Sequence, residues 1–200
     1  MAINLEKGQR ISLKKEAPGL TRLMCGLGWD VAKPAKGGLF GMFSQTADFD
    51  LDASVLCLNA QGRIKNDADV IYFGNLNHKS RAVTHLGDNL TGAGTGDDEQ
   101  IILDLPQIPP EISKLLFMVN IYRCLERKQD FSQVSNAFVR LVDLANNKEV
   151  ARYNLSGAEY QGQTSMIMAE IYRDNEEWQM AAIGKGIKVN GLEDLIRRYS

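Results

Sequence analysis

The sequence predicts an all-β chain, an antiparallel sandwich or barrel finished by a short C-terminal helix. Three observations carry this. Short apolar or alternating segments recur about every 8 to 15 residues with turn signals between them. Pro106, Pro109 and Pro110 separate two such segments, as residues unable to donate to a strand ladder do. Only the last stretch of the chain has clear helical spacing.

Ile11-Ser12-Leu13 reads as a short edge strand, and Arg22 to Trp29 as another, weakened by Gly26 and Gly28. Lys33 to Gly41 is a Gly/Pro-rich loop whose Leu39, Phe40, Met42 and Phe43 are apolar enough to pack or to bind. From Asp48 the chain alternates, with Asp48, Asp50 and Asp52 on one face and Phe49, Leu51 and Ala53 on the other. It then runs into Val55-Leu56-Cys57-Leu58, apolar on both faces as a central strand is. Val70 to Phe73, Val83 to Leu86, Ile101 to Leu105 and Leu115 to Tyr122 follow as strands. Phe138 to Asp143 and Val150 to Leu155 flank the turn Asn146-Asn147; Ser165 to Tyr172 and Trp178 to Ile183 flank Asp174-Asn175. In the helix, expected at about 191–199, Asn190 can cap with Glu193 three residues on. Leu192, Leu195, Ile196 and Tyr199 share a face, and Arg197-Arg198 suit the C-terminal end of the dipole.

Two hundred residues fit one domain, 1–200, and 44% hydrophobic with 24% charged residues is ordinary for a packed core. No run of about eighteen apolar residues exists, so no integral membrane segment is expected. The N-terminus lacks the pattern of a signal peptide, which points to the cytoplasm. Cys25, Cys57 and Cys124 are odd in number, widely spaced and set in apolar runs; buried free thiols are expected rather than a disulfide framework or zinc site. Basic residues form no stripe with interleaved aromatics, so nucleic acid is not an expected partner.

Charge is unevenly spread. Gly37 to Gly62 holds no Lys or Arg but contains Asp48, Asp50 and Asp52. Ala82 to Ser113 again holds none, with Asp88, Asp97, Asp98, Glu99, Asp104 and Glu111. Carboxylates so concentrated repel one another if brought together, at roughly 1 kcal/mol per pair at about 4 Å in water. Either they stay apart in solvent or a cation joins them. The second stretch, from Gly87 to Glu99, mixes oxygen side chains with glycines that let backbone carbonyls turn inward. That is calcium chemistry, six to eight oxygens at about 2.3–2.6 Å, with no imidazole or thiolate cluster to favour a softer metal. Familiar calcium loops do not fit. An EF-hand started at Asp48 puts Ala53 at its glycine and Asn59 at its bidentate glutamate, and Gly92 to Asp97 matches a β-helix turn only once. His85 reads as a structural histidine.

Gly26-Leu27-Gly28-Trp29-Asp30, Asp50-Leu51-Asp52-Ala53-Ser54, His85-x-Gly87-Asp88-Asn89-x-Thr91-Gly92 and Gly96-Asp97-Asp98-Glu99 together resemble the TerD/TerZ tellurium-resistance family. Leu115-Leu116-Phe117, Phe131 to Phe138 and Ala151-Arg152-Tyr153 extend the resemblance over nearly the whole chain, and the Gly37–Gly41 insert is similar to the TerZ branch. The resemblance implies an antiparallel β-sandwich, calcium (one or two ions) held in acidic loops at one end, and a role in bacterial tellurite resistance and stress with other proteins of that system. It implies Asp50, Asp52, Asp88, Asn89, Asp97, Asp98 and Glu99 as ligands, with Asp30, Asp67, Asp69 and Asn75 at weaker matching positions. Ala93 and Thr95 stand where the family usually has acids, which puts the strength of one site in question. A non-enzymatic calcium module is thus the expectation. The alternatives are a metal-independent interaction sandwich, with Leu39 to Phe43 as a contact, and a metal-assisted hydrolase using Asp97 and Asp98. No nucleophile–base set, P-loop or nucleotide fingerprint supports the last.

Overall fold

The computed structural model describes residues 2–31, 50–88, 96–155, 157–175 and 177–200. The apolar insert Leu39–Phe43, Asp48, Asn89, Ala93 and Thr95 lie outside them.

Twelve strands form among the described residues. They are β1 (Ile3–Leu5), β2 (Arg10–Ser12), β3 (Arg22–Val31), β4 (Leu51–Leu58), β5 (Val70–Ile71), β6 (Val83–Asp88), β7 (Glu99–Asp104), β8 (Lys114–Ile121), β9 (Val134–Asp143), β10 (Lys148–Leu155), β11 (Ser165–Asp174) and β12 (Glu177–Ile187). They make two six-stranded sheets, ordered β1-β10-β9-β3-β7-β6 and β2-β12-β11-β8-β4-β5. The all-β sandwich expected from the sequence is what forms. Most strands begin or end one to four residues beyond their expected bounds.

The core is a consequence of period-two alternation. Cys25 and Leu27 of β3, Ile101 and Leu103 of β7, and Val139 and Leu141 of β9 face Val55 and Cys57 of β4 and Phe117 and Val119 of β8 in one apolar cluster. Each large side chain so buried stabilises by roughly 1.5–3 kcal/mol. The opposite parity of the second sheet is apolar too. Leu56, Leu58, Leu116, Met118 and Ile167 form a second cluster under the C-terminal segment, with Val189 and Leu195. This explains why Val55 to Leu58 is apolar on both faces.

Several expectations are corrected. The helix α3 spans only Leu192–Ile196, with Gly191 at its start and no side-chain cap. Instead of Asn190 capping with Glu193, the Asn190 N–H donates to Asp194 Oδ2 at 3.2 Å. Leu13 opens a helical turn, α1 (Leu13–Glu16), rather than ending β2, because Ser12 Oγ accepts the Lys15 N–H and caps it. A further turn, α2 (Cys124–Arg127), follows β8, and the strand at Val70 stops at Ile71 because Tyr72 and Asn75 close a tight turn through paired backbone bonds. One pairing is parallel: β1 lies beside β10, with Ile3 opposite Ala151.

Candidate metal site

The two acidic segments come to the same end of the sandwich. β3 runs antiparallel to β7, and β7 to β6, so the end of β3, the start of β7 and the end of β6 coincide. The start of β4 joins them from the other sheet. The Ala53 N–H, outside the stretch of β4 covered by two-residue β5, donates to Glu99 Oε2 at 2.6 Å. This buried bond links residues 46 apart in sequence across the sandwich.

The candidate residues divide by what surrounds them. Asp97, 5% exposed, lies over the outer face of the first sheet, where Arg140 Nε and Nη2 donate to its two oxygens at 2.7 and 2.9 Å. Arg140 continues to Glu149, and Glu149 to Arg152, whose guanidinium stacks on Phe138 with its central carbon 4.3 Å from the ring centroid. The pairing holds Arg140 more firmly protonated than usual, through the Asp97 bond first. Arg152 and then Arg140 hold the Glu149 carboxyl below its ordinary range against partial burial. Asp97 thus has a cationic neighbour in space that the sequence around it lacks: Arg140 stands 43 residues away on β9.

Glu99 is 3% exposed and points inward, on the same parity as Ile101 and Leu103. Its Oε2 also accepts from His85 Nε2 at 3.1 Å. His85 Nδ1 accepts the Gly87 N–H at 3.0 Å, which leaves the ring proton on Nε2 and fixes the tautomer. His85 is structural, as expected. Asp98 is half-buried and its Oδ2 accepts the Trp29 N–H at 2.7 Å. Asp50 is exposed, its carbonyl accepting from the Tyr122 N–H. Asp52 is half-buried on the outer face of the second sheet, opposite Asn120. Asp88 ends β6 opposite Glu99.

The weaker family positions are held by local structure. Asp30 Oδ2 accepts from Asn136 Nδ2 at 2.9 Å. Asn75 Nδ2 donates to the Val70 carbonyl, and Asp67 is exposed in a single helical turn. Asp69, 5% exposed, accepts the N–H groups of Lys65 and Asn66 and bonds His78 Nε2 at 3.3 Å. His78 Nδ1 meets Ser80 Oγ at 2.8 Å, a Ser–His–Asp chain that the sequence reading missed. Ser80 bonds the same ring nitrogen with its own N–H and caps Ala82, so the chain closes its own turn.

Among the described residues, no group of three or more His, Cys, Asp or Glu side chains is placed to hold a metal. A site here must therefore draw on amide, hydroxyl or carbonyl oxygens as well. The structure has candidates: Ser54 Oγ on the strand of Asp52 and Asn120 Oδ1 on the neighbouring strand are buried without a hydrogen-bond partner among the described residues. Oxygen-only donors of this kind fit a hard cation.

Family membership rests on the whole chain. The TerD domain matches residues 1–199. The chain belongs to the TerD family. Stress response protein SCP2 of Bacillus subtilis (strain 168) is 52% identical over 100% of both chains. Tellurium resistance protein TerD of Serratia marcescens is 41% identical over 100% of this chain and 97% of its own length. Tellurium resistance protein TerZ of the same organism is 38% identical over 96% and 94%. Over the whole chain, TerZ at 38% is no nearer than TerD at 41%. A solved homologue of telluride resistance protein from Streptomyces coelicolor A3(2) superposes with TM-score 0.65 at 20% identity, over 91% of this chain and 99% of that one. It shares the TerD fold.

Proposed function

We propose that this TerD-family chain is a calcium-binding, non-enzymatic module of a bacterial tellurite-resistance and general stress-response system. On this reading it works in the cytoplasm beside other proteins of that system. Among the described residues no helix is long and apolar enough to cross a membrane. The observation that carries the reading is the Ala53–Glu99 bond, which gathers two acidic segments, far apart in sequence, at one end of the fold. The names of the relatives, stress response and tellurium resistance, supply the system.

The carboxylates that the reading assigns to calcium are Asp50, Asp52, Asp88 and Asp98, with Asn89. Asp97 and Glu99 serve it by holding the turn, through Arg140 and through His85 with Ala53. A bound divalent ion supplies positive charge at the end of the fold that carries these acids. Ligand that binds only the folded chain stabilises it by about 2.7 kcal/mol at a hundred times Kd.

Calorimetric titration of the metal-stripped full chain tests this directly. Calcium is expected to bind with a stoichiometry of one or two and to raise Tm, and magnesium to do so much less because it loses water reluctantly. Unchanged melting in millimolar calcium, with no heat of binding, overturns the reading.

A further inference from the structure

We infer that the end of the sandwich carrying the acidic segments docks on an anionic lipid surface when calcium is bound there, with Leu125 and the basic turn α2 making the contact. The calcium dependence rests on the calcium reading; the docking face is carried by other residues.

Six large apolar side chains stand exposed among the described residues: Phe73, Leu76, Leu86, Tyr122, Leu125 and Leu144. Exposed apolar groups scattered singly need no explanation. Five of these gather at one end. The Tyr122 N–H donates to the Asp50 carbonyl, just before β4, and Leu125 lies three residues on, in α2. Phe73 sits in the tight turn after β5, which runs antiparallel to β4 and so heads for the start of β4. The Leu76 carbonyl accepts from the His85 N–H, and Leu86 follows His85 on β6, whose last residue meets the first of β7. Of the six, Leu144 alone lies elsewhere, its N–H donating to the Arg22 carbonyl at the opposite end of β3.

Leu125 is the most exposed of them, at 58%, and its neighbours keep it so. Cys124 is buried with its Sγ 3.8 Å from the Val189 carbonyl, and the Gln129 N–H donates to the Cys124 carbonyl. The turn is thereby anchored beside Leu125 and leaves it in solvent. Arg123, Arg127 and Lys128 outnumber Glu126 around it. The guanidinium carbons of Arg123 and Arg127 lie 5.3 and 5.7 Å from the Tyr122 ring centroid. An aromatic ring flanked by cations, next to an exposed leucine, suits a headgroup layer: basic groups meet lipid phosphate while apolar tips go deeper. Turns and a strand end offer points rather than the walls of a groove, which fits a soft planar partner better than a peptide. Reversible binding to such a surface scales with apolar burial and with attraction to anionic lipid together, and this end has both.

Exposed Asp50, with Asp52 and Asp98 half-buried, opposes that approach. Charges within about 10 Å act on one another at ordinary salt. A cation held among these acids removes the opposition, which makes docking conditional on calcium.

Cosedimentation of the full chain with vesicles tests this, in calcium and in chelator, with phosphatidylcholine alone and with phosphatidylcholine plus phosphatidylglycerol. The chain is expected to sediment with the anionic vesicles in calcium only, and less so at high salt. Lys128→Gln should lower the partition by about fivefold, the share of one basic residue near such a surface. Leu125→Ser should lower it at least as much, because the apolar tip is lost. Neither should change the calcium affinity read by calorimetry. Both side chains are exposed, and thermal unfolding checks that the variants fold. If calorimetry shows calcium binding and the unchanged chain stays in the supernatant with every vesicle, the inference is overturned while the calcium reading stands. Equal sedimentation with neutral vesicles, in chelator, or by both variants overturns it too. So does sedimentation in calcium without vesicles, which would mark an interface between copies of the chain. If calorimetry shows no calcium binding, both fall.

Discussion

Asp97 fills the space that a side chain at Gly26 would need. A Cβ on Gly26 falls 2.3 Å from the Asp97 carboxylate carbon, far inside van der Waals contact. The pair explains a glycine in the middle of β3, where its lack of a side chain otherwise only weakens the strand. It also shows how the turn after residue 95 is seated: it lies down on the sheet rather than standing off it.

Gly26→Ala is therefore expected to destabilise, although alanine suits a strand at least as well as glycine. The Asp97 carboxylate is held by two guanidinium bonds and cannot swing aside cheaply. Overpacking of this kind costs about 1–3 kcal/mol. Thermal unfolding should show Tm lower by several degrees, at roughly 2–4 °C per kcal/mol for a chain of this size. An unchanged Tm would mean that the turn yields freely.

Arg140→Gln tests the other side of Asp97. Removing one partner of a fully buried ion pair costs about 3–5 kcal/mol, because the remaining charge stays buried. Arg140 keeps about a quarter of its side-chain exposure, at 26%, so the low end of that range or slightly less is expected. Asp97→Asn with Arg140→Gln should cost less than the sum of the singles, measured by denaturant unfolding in a double-mutant cycle.

Acid should weaken the same network. The Glu149 carboxyl titrates below its ordinary value of 4.5 in the folded chain, held down by Arg152 and Arg140. Its contribution is complete above that ordinary value and is lost as pH falls through the lower folded value. Stability should therefore decline below about pH 4.5, and Glu149→Gln should flatten part of that slope. A variant with the full slope would exclude Glu149 as a contributor.

The thiols should be inert while the chain is folded. All three are buried and unbridged. Burial, and then the Asp97 charge, pushes the Cys25 thiol well above its ordinary value. Burial, and then Asp69, pushes Cys57 up to about 12. Because the thiolate is the reactive form, a disulfide reagent at pH 8 should label Cys25 and Cys57 only after unfolding. Fast labelling of either in the native state would show that burial does not protect it.

Much of the fold was legible because period-two alternation and turn residues are local signals. Val55 to Leu58, apolar on both faces, announced a strand covered on both sides. What failed was what depends on distant partners. Ile3-Asn4-Leu5 is too short to signal a strand until β10 receives it. Arg140 is invisible to a charge count around Asp97, since such a count measures neighbours along the chain. Asn120 carries no signal either, because one sequence does not give the register that sets it opposite Asp52. The helix at the C-terminus is shorter than its apolar face, which continues to Tyr199: the Arg198 and Tyr199 N–H groups bond three residues back, to Leu195 and Ile196, in a tightened last turn.

The first dozen residues divide between the sheets. β1 lies along β10 in one and β2 along β12 in the other, with the Gly8 N–H donating to the Ala182 carbonyl where the chain crosses over. A single short segment thus hems one side of both layers. A chain shortened by those residues would bare two long strands at once, β10 and β12, each with a ladder of unsatisfied amides open to a neighbouring molecule. Fusions and truncations at this terminus therefore bear on solubility more than its three-residue strands suggest.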